Sequence, residues 1–189
     1  MANPYFFGYG SLVNTATHDF SDPRPARLKG WRRAWRHTDL RPVAFLTAIP
    51  DPACEIDGMI AHVPKDDWEA LDQREWAYDR VPITDRVTHP VTHPLEIAVY
   101  AVPEGRHTHP TDGHPVLLSY VDVVIQGYLH AFGEDGVQRF LETTDGWEAP
   151  VLNDRREPCY PRHQLLRAEE TLLVDESLRS LGVEIVEAV

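Results

Sequence analysis

Apolar residues follow two different spacings along the chain, and the change falls near residue 119. Before it, short aromatic and β-branched runs are broken by Pro, Asp and Gly, the pattern of strands and turns. Residues 4–9 (Pro-Tyr-Phe-Phe-Gly-Tyr) predict a strand, and a polar, Pro-containing stretch runs on to about Pro25. Residues 27–36, with Trp31 and Trp35, predict a second strand. Residues 43–49 and 56–63 predict two paired strands, joined by a turn at Pro50-Asp51-Pro52. Residues 66–72 predict a helix whose first-turn acids, Asp66, Asp67 and Glu69, suit the positive end of its dipole. Trp68, Leu71 and Trp76 fall near a helical spacing and are expected to face the core. Two further strands are expected at 80–87 and 95–102, separated by a repeated Thr-His-Pro whose prolines break regular structure.

From Ser119 onward the period is helical. Tyr120, Val123, Val124, Gly127, Tyr128 and Ala131 mark one face at i, i+3, i+4 spacing. A short helix is expected at about 135–143, then a long irregular segment from Gly146 to His163. A last amphipathic helix is expected near 169–181, capped by Gly182, with Val183–Val186 returning to the sheet. Strands early and helices late predict an α+β fold. The length of 189 residues fits one domain spanning 1–189 with a core that needs no disulfide or metal staple.

Charge narrows the partners. A formal net charge of −12 argues against a nucleic-acid backbone as ligand. No apolar run approaches the roughly 18 residues of a membrane span. The N-terminal residues lack the basic and apolar regions of a secretory signal, so a cytoplasmic protein is expected. Cys54 and Cys159 stand far apart without a partner motif and read as two reduced thiols. Arg is locally concentrated, in Arg32-Arg33 with Arg36 and in Arg155-Arg156 with Arg162, where a carboxylate could bind despite the acidic total.

Candidate chemistry lies in two segments. Phe7-Gly8-Tyr9-Gly10-Ser11-Leu12 ends a strand in a glycine turn, where several backbone N–H groups can converge on an anion or a carbonyl oxygen. Leu71-Asp72-Gln73-Arg74-Glu75 ends a helix in a carboxylate flanked by Leu71, Trp76 and Tyr78, where partial burial favours proton shuttling at neutral pH. Each has an ordinary counterpart: most Gly-Ser turns only turn, and Glu75 could pair with Arg74 or Arg80 on a solvated face. Ser11 lacks the Gly-x-Ser-x-Gly setting and an identifiable His base, so it is not read as a hydrolase nucleophile. His89, His93, His107, His109 and His114, near Asp112, lie in Pro-rich loops whose spacing matches no known metal site. The loop containing Trp147, Asn153-Asp154-Arg155 and Tyr160-Pro161-Arg162 either closes over a ligand, with Arg155 or Arg162 on a carboxylate, or is pinned by an Asp154–Arg pair.

In order and spacing, Phe7-Gly8-Tyr9-Gly10-Ser11-Leu12, Leu28-Lys29-Gly30-Trp31-Arg32-Arg33, Gly58-Met59-Ile60-Ala61, Leu71-Asp72-Gln73-Arg74-Glu75 and Tyr78-Asp79-Arg80-Val81 resemble the gamma-glutamylcyclotransferase-like superfamily, which includes the ChaC-type glutathione-degrading proteins. The resemblance covers about residues 5–102 and is looser in the helical part from about 119. Only Trp76-Ala77 separate Glu75 from Tyr78, a shorter form than ChaC-type members carry and closer to other members of the superfamily. The resemblance implies a small mixed barrel-like β-sheet surrounded by helices. It implies Glu75 as the catalytic acid–base and Tyr9, Gly10, Ser11 and Leu12 as binding residues for a gamma-glutamyl group, with no cofactor and no metal.

The implied reaction is a metal-independent lyase or acyl-transfer step that releases 5-oxoproline, within glutathione metabolism or a neighbouring use of gamma-glutamyl amides. The alternative from another class keeps the fold without catalysis, as a binding module for a gamma-glutamyl-like metabolite or a protein partner. A third reading is a related lyase acting on a gamma-glutamyl-amine or a modified lysine with the same residues. The expected partner is a small-molecule gamma-glutamyl substrate, with neither nucleic acid nor membrane, and the sequence leaves the oligomeric state open.

Overall fold

The computed structural model describes residues 3–39, 42–64, 68–111 and 113–187. One curled sheet of seven strands carries the fold, and helices pack on both of its faces. Its strands are β1 (Asn3–Gly8), β2 (Ser21–Arg36), β3 (Phe45–His62), β4 (Asp79–Pro82), β5 (Val87–Thr88), β6 (Leu95–Ala101) and, later in the chain, a two-residue strand at Thr144–Asp145. The order is β4-β6-β1-β3-β2-β5, with the Thr144–Asp145 strand also pairing with β2. β1 runs antiparallel to β3 and parallel to β6. This mixed α+β half-barrel is the expected fold class.

Period-two alternation in β1 places the two faces. Tyr5 and Phe7 join the large core with Leu28, Trp35, Ile56, Val124, Tyr128 and Phe140. Phe6, between them, points the other way into a smaller cluster with Leu12, Ala61, Leu71 and Tyr100. Leu71 belongs to α1 (Trp68–Arg74) and docks that helix on the second face. The first face is covered by α2 (Leu118–Glu142) and α3 (Ala168–Ser180). Gly133, at φ +69°, interrupts α2. A left-handed residue cannot continue an α-helix, so the segment is two helices across a kink, close to the two expected from the periodicity. Gly182 follows α3 and closes it: Gly182 N–H donates to the Arg179 carbonyl (3.0 Å) and Val183 N–H to that of Leu178 (3.1 Å).

Four expectations are corrected. Residues 43–49 and 56–63 are not two strands paired with each other through a turn; residues 45–49 and 56–62 are the two ends of β3, and both pair with β2, on either side of a register shift that leaves residues 51–54 without a partner in it. Pro50 lies opposite Trp31, where the register shifts between Lys29 and Trp31, and an irregularity is where a strand tolerates residues without an N–H donor. The segment expected as one strand at 80–87 is divided into β4, a 3-10 turn at Thr84–Arg86, and β5. The terminal run does not return to the main sheet: Ile185–Glu187 pairs with Val151–Asn153 in a separate three-stranded sheet, completed by Val116–Leu117. Trp76 is 55% exposed and lies outside the core. The expected helix-start residues Asp66 and Asp67 lie outside the described residues.

Among the described residues no three His, Cys, Asp or Glu side chains converge to hold a metal ion, and Asp112 lies outside them. No helix among them is long and apolar enough to cross a membrane.

Candidate active site

The chain leaves β1 at Gly8 and turns at once. Gly10 precedes a 3-10 turn at Ser11–Val13, with Val13 N–H donating to the Gly10 carbonyl (3.0 Å) and Asn14 N–H to that of Ser11 (3.1 Å). A second 3-10 turn, Thr15–Thr17, is capped by the Asn14 side chain, which accepts from Ala16 N–H at 3.1 Å. The Thr17 hydroxyl lies 3.0 Å from the Ser11 carbonyl and ties the two turns together. A Cβ on Gly10 would stand 2.5 Å from the Tyr120 hydroxyl, so a residue without a side chain is what lets α2 close over this turn.

The turn is held from below by a buried polar network. The Arg33 guanidinium, fully buried on β2, donates from Nε to the Tyr9 carbonyl (3.2 Å), from one terminal nitrogen to Thr143 Oγ1 (2.6 Å), and from the other to the Asp57 carbonyl and the Tyr128 hydroxyl. Tyr128 lies 2.9 Å from the Tyr9 carbonyl and 2.7 Å from the Asp57 carbonyl, and shares its hydroxyl proton between them. Burial pushes the Tyr128 hydroxyl up to about 12, so it stays a donor at neutral pH. The Arg33 cation also sits over the rings of Tyr128 and Phe140, at 5.0 and 5.1 Å.

Glu75 comes from the end of α1. Its N–H donates to the Leu71 carbonyl (2.9 Å) and continues the helix by one bond, after which Tyr78 N–H donates back to the Glu75 carbonyl (2.8 Å). The carboxylate lies 3.2 Å from Arg74 Nε, and the two side chains are only 18% and 9% exposed. Arg74 reaches on to Thr17, donating to its carbonyl (3.1 Å) and its hydroxyl (3.3 Å). One cation therefore joins the helix end that bears the carboxylate to the turns that follow β1.

These parts meet in a narrow cleft lined by Phe7 to Leu12, Leu46, Glu75, Tyr78, Tyr100 and Tyr120. The five expected residues Tyr9, Gly10, Ser11, Leu12 and Glu75 all border it. Tyr9 gives its hydroxyl to the Tyr100 carbonyl at 2.6 Å, and Tyr78 gives its own to that of Leu46 at 2.8 Å. Ser11 N–H reaches the Tyr120 hydroxyl at 3.4 Å, a long bond that a better acceptor can replace. Burial, followed by the negative charge of Glu75, raises the Tyr9 hydroxyl; burial with Tyr160, Tyr9 and Glu75 raises that of Tyr120. Both remain neutral donors beside a carboxylate. From the sequence, Tyr78 is expected beside Glu75 and in the family-like Tyr78-Asp79-Arg80-Val81 stretch, and Tyr120 on a helix face, while Tyr100 is not singled out. The available signal was Tyr rather than Phe at apolar positions, since a buried hydroxyl has to find a partner.

The cleft opens outward into a second space of about 440 Å³ that shares Ser11, Glu75, Tyr78 and Tyr120 with it. Its far wall is Cys159-Tyr160-Pro161-Arg162, with Trp76 and Phe45 on other sides. The loop bearing that wall is fixed by Asp154, 2% exposed, which accepts from Ser119 N–H (2.8 Å), Ser119 Oγ (2.6 Å) and Cys159 N–H (2.9 Å). Asp154 thus caps the start of α2 and pairs with no arginine among the described residues. Arg155 forks onto both oxygens of Asp122 (2.8 and 2.7 Å) and reaches Asp175 at 2.7 Å. It points away from the cleft.

A profile of the family described as "Gamma-glutamyl cyclotransferase, AIG2-like" matches residues 6–122, well over half of the chain. The chain belongs to that family. Solved structures agree on the fold of this gamma-glutamyl cyclotransferase family member. One, titled "Gamma-glutamyl cyclotransferase", superposes with a TM-score of 0.58 at 14% identity over 91% of this chain and 98% of its own. YkqA from Bacillus subtilis superposes at 0.59 with 17% identity, over 75% of this chain and 54% of its own. An uncharacterized protein from Homo sapiens does so at 0.59 with 14% identity, over 90% and 97%. At these identities the likeness is one of fold. No curated protein sequence matches the chain.

Proposed function

We propose that the protein cleaves gamma-glutamyl amides by intramolecular cyclisation, releasing 5-oxoproline and the free amine. The observation that carries this reading is the meeting of the Glu75 carboxylate with the Gly10-Ser11 turn in one small cleft that adjoins a wider outer space. The inner cleft is narrow and receives the reacting γ-carbonyl end beside Glu75, and the outer space of about 440 Å³ suits an amine half of variable size.

The substrate brings its own nucleophile. The α-amine attacks the γ-carbonyl carbon and closes a five-membered ring, an arrangement in which effective molarities reach the order of 10⁵–10⁸ M. Glu75 takes a proton from the α-ammonium as the new C–N bond forms. The γ-carbonyl oxygen gains charge and is met by Ser11 N–H, with the neutral Tyr120 hydroxyl beside it as a second donor. The old C–N bond then breaks, and Glu75 returns the proton to the departing amine. No water is consumed, and one carboxylate serves both transfers, a contribution of roughly 10²–10⁴-fold. Arg74 acts through Glu75, holding the carboxylate toward the turn.

The test is 5-oxoproline release from a panel of glutathione, gamma-glutamyl dipeptides and gamma-glutamyl amines. Turnover of one class supports the reading. Binding without turnover of any of them would replace it with a non-catalytic binding module.

A further inference from the structure

The outer space holds an arginine that the proposed chemistry does not use. With the scissile carbonyl at Ser11 and Glu75, the amine half of a gamma-glutamyl amide has to leave through the residues the two spaces share, toward Tyr160-Pro161-Arg162. Two nearby arginines are committed: Arg74 to Glu75 and Thr17, and Arg155 to Asp122 and Asp175. The side chain of Arg162, on the wall of the outer space, makes no hydrogen bond or ion pair with the described residues. The carboxylate bordering that space among the described residues is Glu75, held by Arg74.

Arg162 is also placed by its backbone. Tyr160 N–H donates to Ser119 Oγ (3.3 Å), the Tyr160 ring packs edge-on against Tyr120 at 4.9 Å, and His163 N–H closes the turn on the Tyr160 carbonyl (3.1 Å). The arginine therefore stands on a turn tied to α2 and to a tyrosine of the cleft.

We propose that Arg162 binds a carboxylate on the amine half of the substrate, so that the outer space selects gamma-glutamyl amino acids or peptides over gamma-glutamyl amines lacking that charge. The inference rests on the cyclotransferase reading and names the substrate class of the same site. A charge-assisted bond between guanidinium and carboxylate in a partly open setting corresponds to about tenfold in affinity.

The experiment compares gamma-glutamyl-alanine with gamma-glutamyl-alaninamide, which match in size and differ in one charge. In the wild-type protein kcat/KM is expected to favour the carboxylate about tenfold. In Arg162→Gln the ratio should fall toward one, mainly through KM, with Arg162→Lys between the two. A wild-type ratio of one, or a ratio unchanged by Arg162→Gln, overturns the inference. The same pair is titrated calorimetrically into Glu75→Gln and into Glu75→Gln with Arg162→Gln. A binding preference for the carboxylate, lost in the double variant, upholds the subsite even if wild-type turnover were absent and the reaction reading had failed. Equal affinities, or no binding, overturn it.

Discussion

Tyr128→Phe isolates the support beneath the Gly10-Ser11 turn. The substitution keeps the ring, its stacking on Phe140 at 4.8 Å, and its place under the Arg33 cation, and removes only the hydroxyl. That hydroxyl accepts from Arg33 at 2.5 Å and donates to the Tyr9 and Asp57 carbonyls, all in the buried core. Losing a bond from a charged donor, and leaving two buried carbonyls with Arg33 alone, costs about 2–3 kcal/mol. For a domain of this length that corresponds to a fall in Tm of roughly 5–10 °C, read by thermal and urea unfolding. The Tyr9 carbonyl is the member of the network nearest the chemistry, so turnover measured well below Tm should also fall. A double-mutant cycle with Arg33→Met should be non-additive by more than about 0.5 kcal/mol, because the two groups share both carbonyls. A loss below about 0.5 kcal/mol for Tyr128→Phe, or additivity in the cycle, would refute the claim that this network holds the turn.

Two further outcomes follow from the same geometry. Arg74→Gln should lower kcat by about 10-fold or more with a smaller change in KM, since it releases the carboxylate from the Thr17 turn, and Arg74→Lys should recover part of the loss in steady-state kinetics. Glu170, at the start of α3, would be raised by its burial. The Arg167 backbone N–H and the Gln126, His130 and Arg167 side chains overcome that and hold it at about 2. A depressed carboxylate contributes stability that is complete above its unfolded value of about 4.5 and fades as pH falls toward 2, here on the order of 2–3 kcal/mol. Urea titrations of wild type and Glu170→Gln should differ most near pH 7 and converge as pH falls through that window; a constant gap would contradict the assignment.

Local signals in the sequence located most elements and the candidate cleft, and the failures were non-local. Alternation at Phe6 and Phe7 and the glycine after α3 act within a few residues, so they are visible in the chain. The continuation of β3 through Pro50 depends on a register shift in β2, about twenty residues away, and could not be seen from the prolines alone. Trp76 looks like a core residue at helical spacing, but α1 ends at Arg74 and leaves it 55% exposed at the outer space. The partner of Ile185–Glu187 is a short strand in what reads as loop. At the site, the turn and Glu75 carry their own residue patterns. The groups that hold the turn, Arg33 and Tyr128, are 95 residues apart and look like a surface base and an ordinary helix-face aromatic. Arg155 and Arg162 were equivalent in the sequence, and the structure separates them by committing Arg155 to Asp122 and Asp175.

The central claim is that Glu75 carries both proton transfers of a cyclisation. Its most direct test is 5-oxoproline release by Glu75→Gln beside wild type, on a gamma-glutamyl amide that the wild type turns over, with substrate affinity measured calorimetrically in the variant. Glu75→Gln is expected to lose at least 10²-fold in kcat with binding and unfolding midpoint close to wild type. Near-wild-type turnover by Glu75→Gln would contradict it.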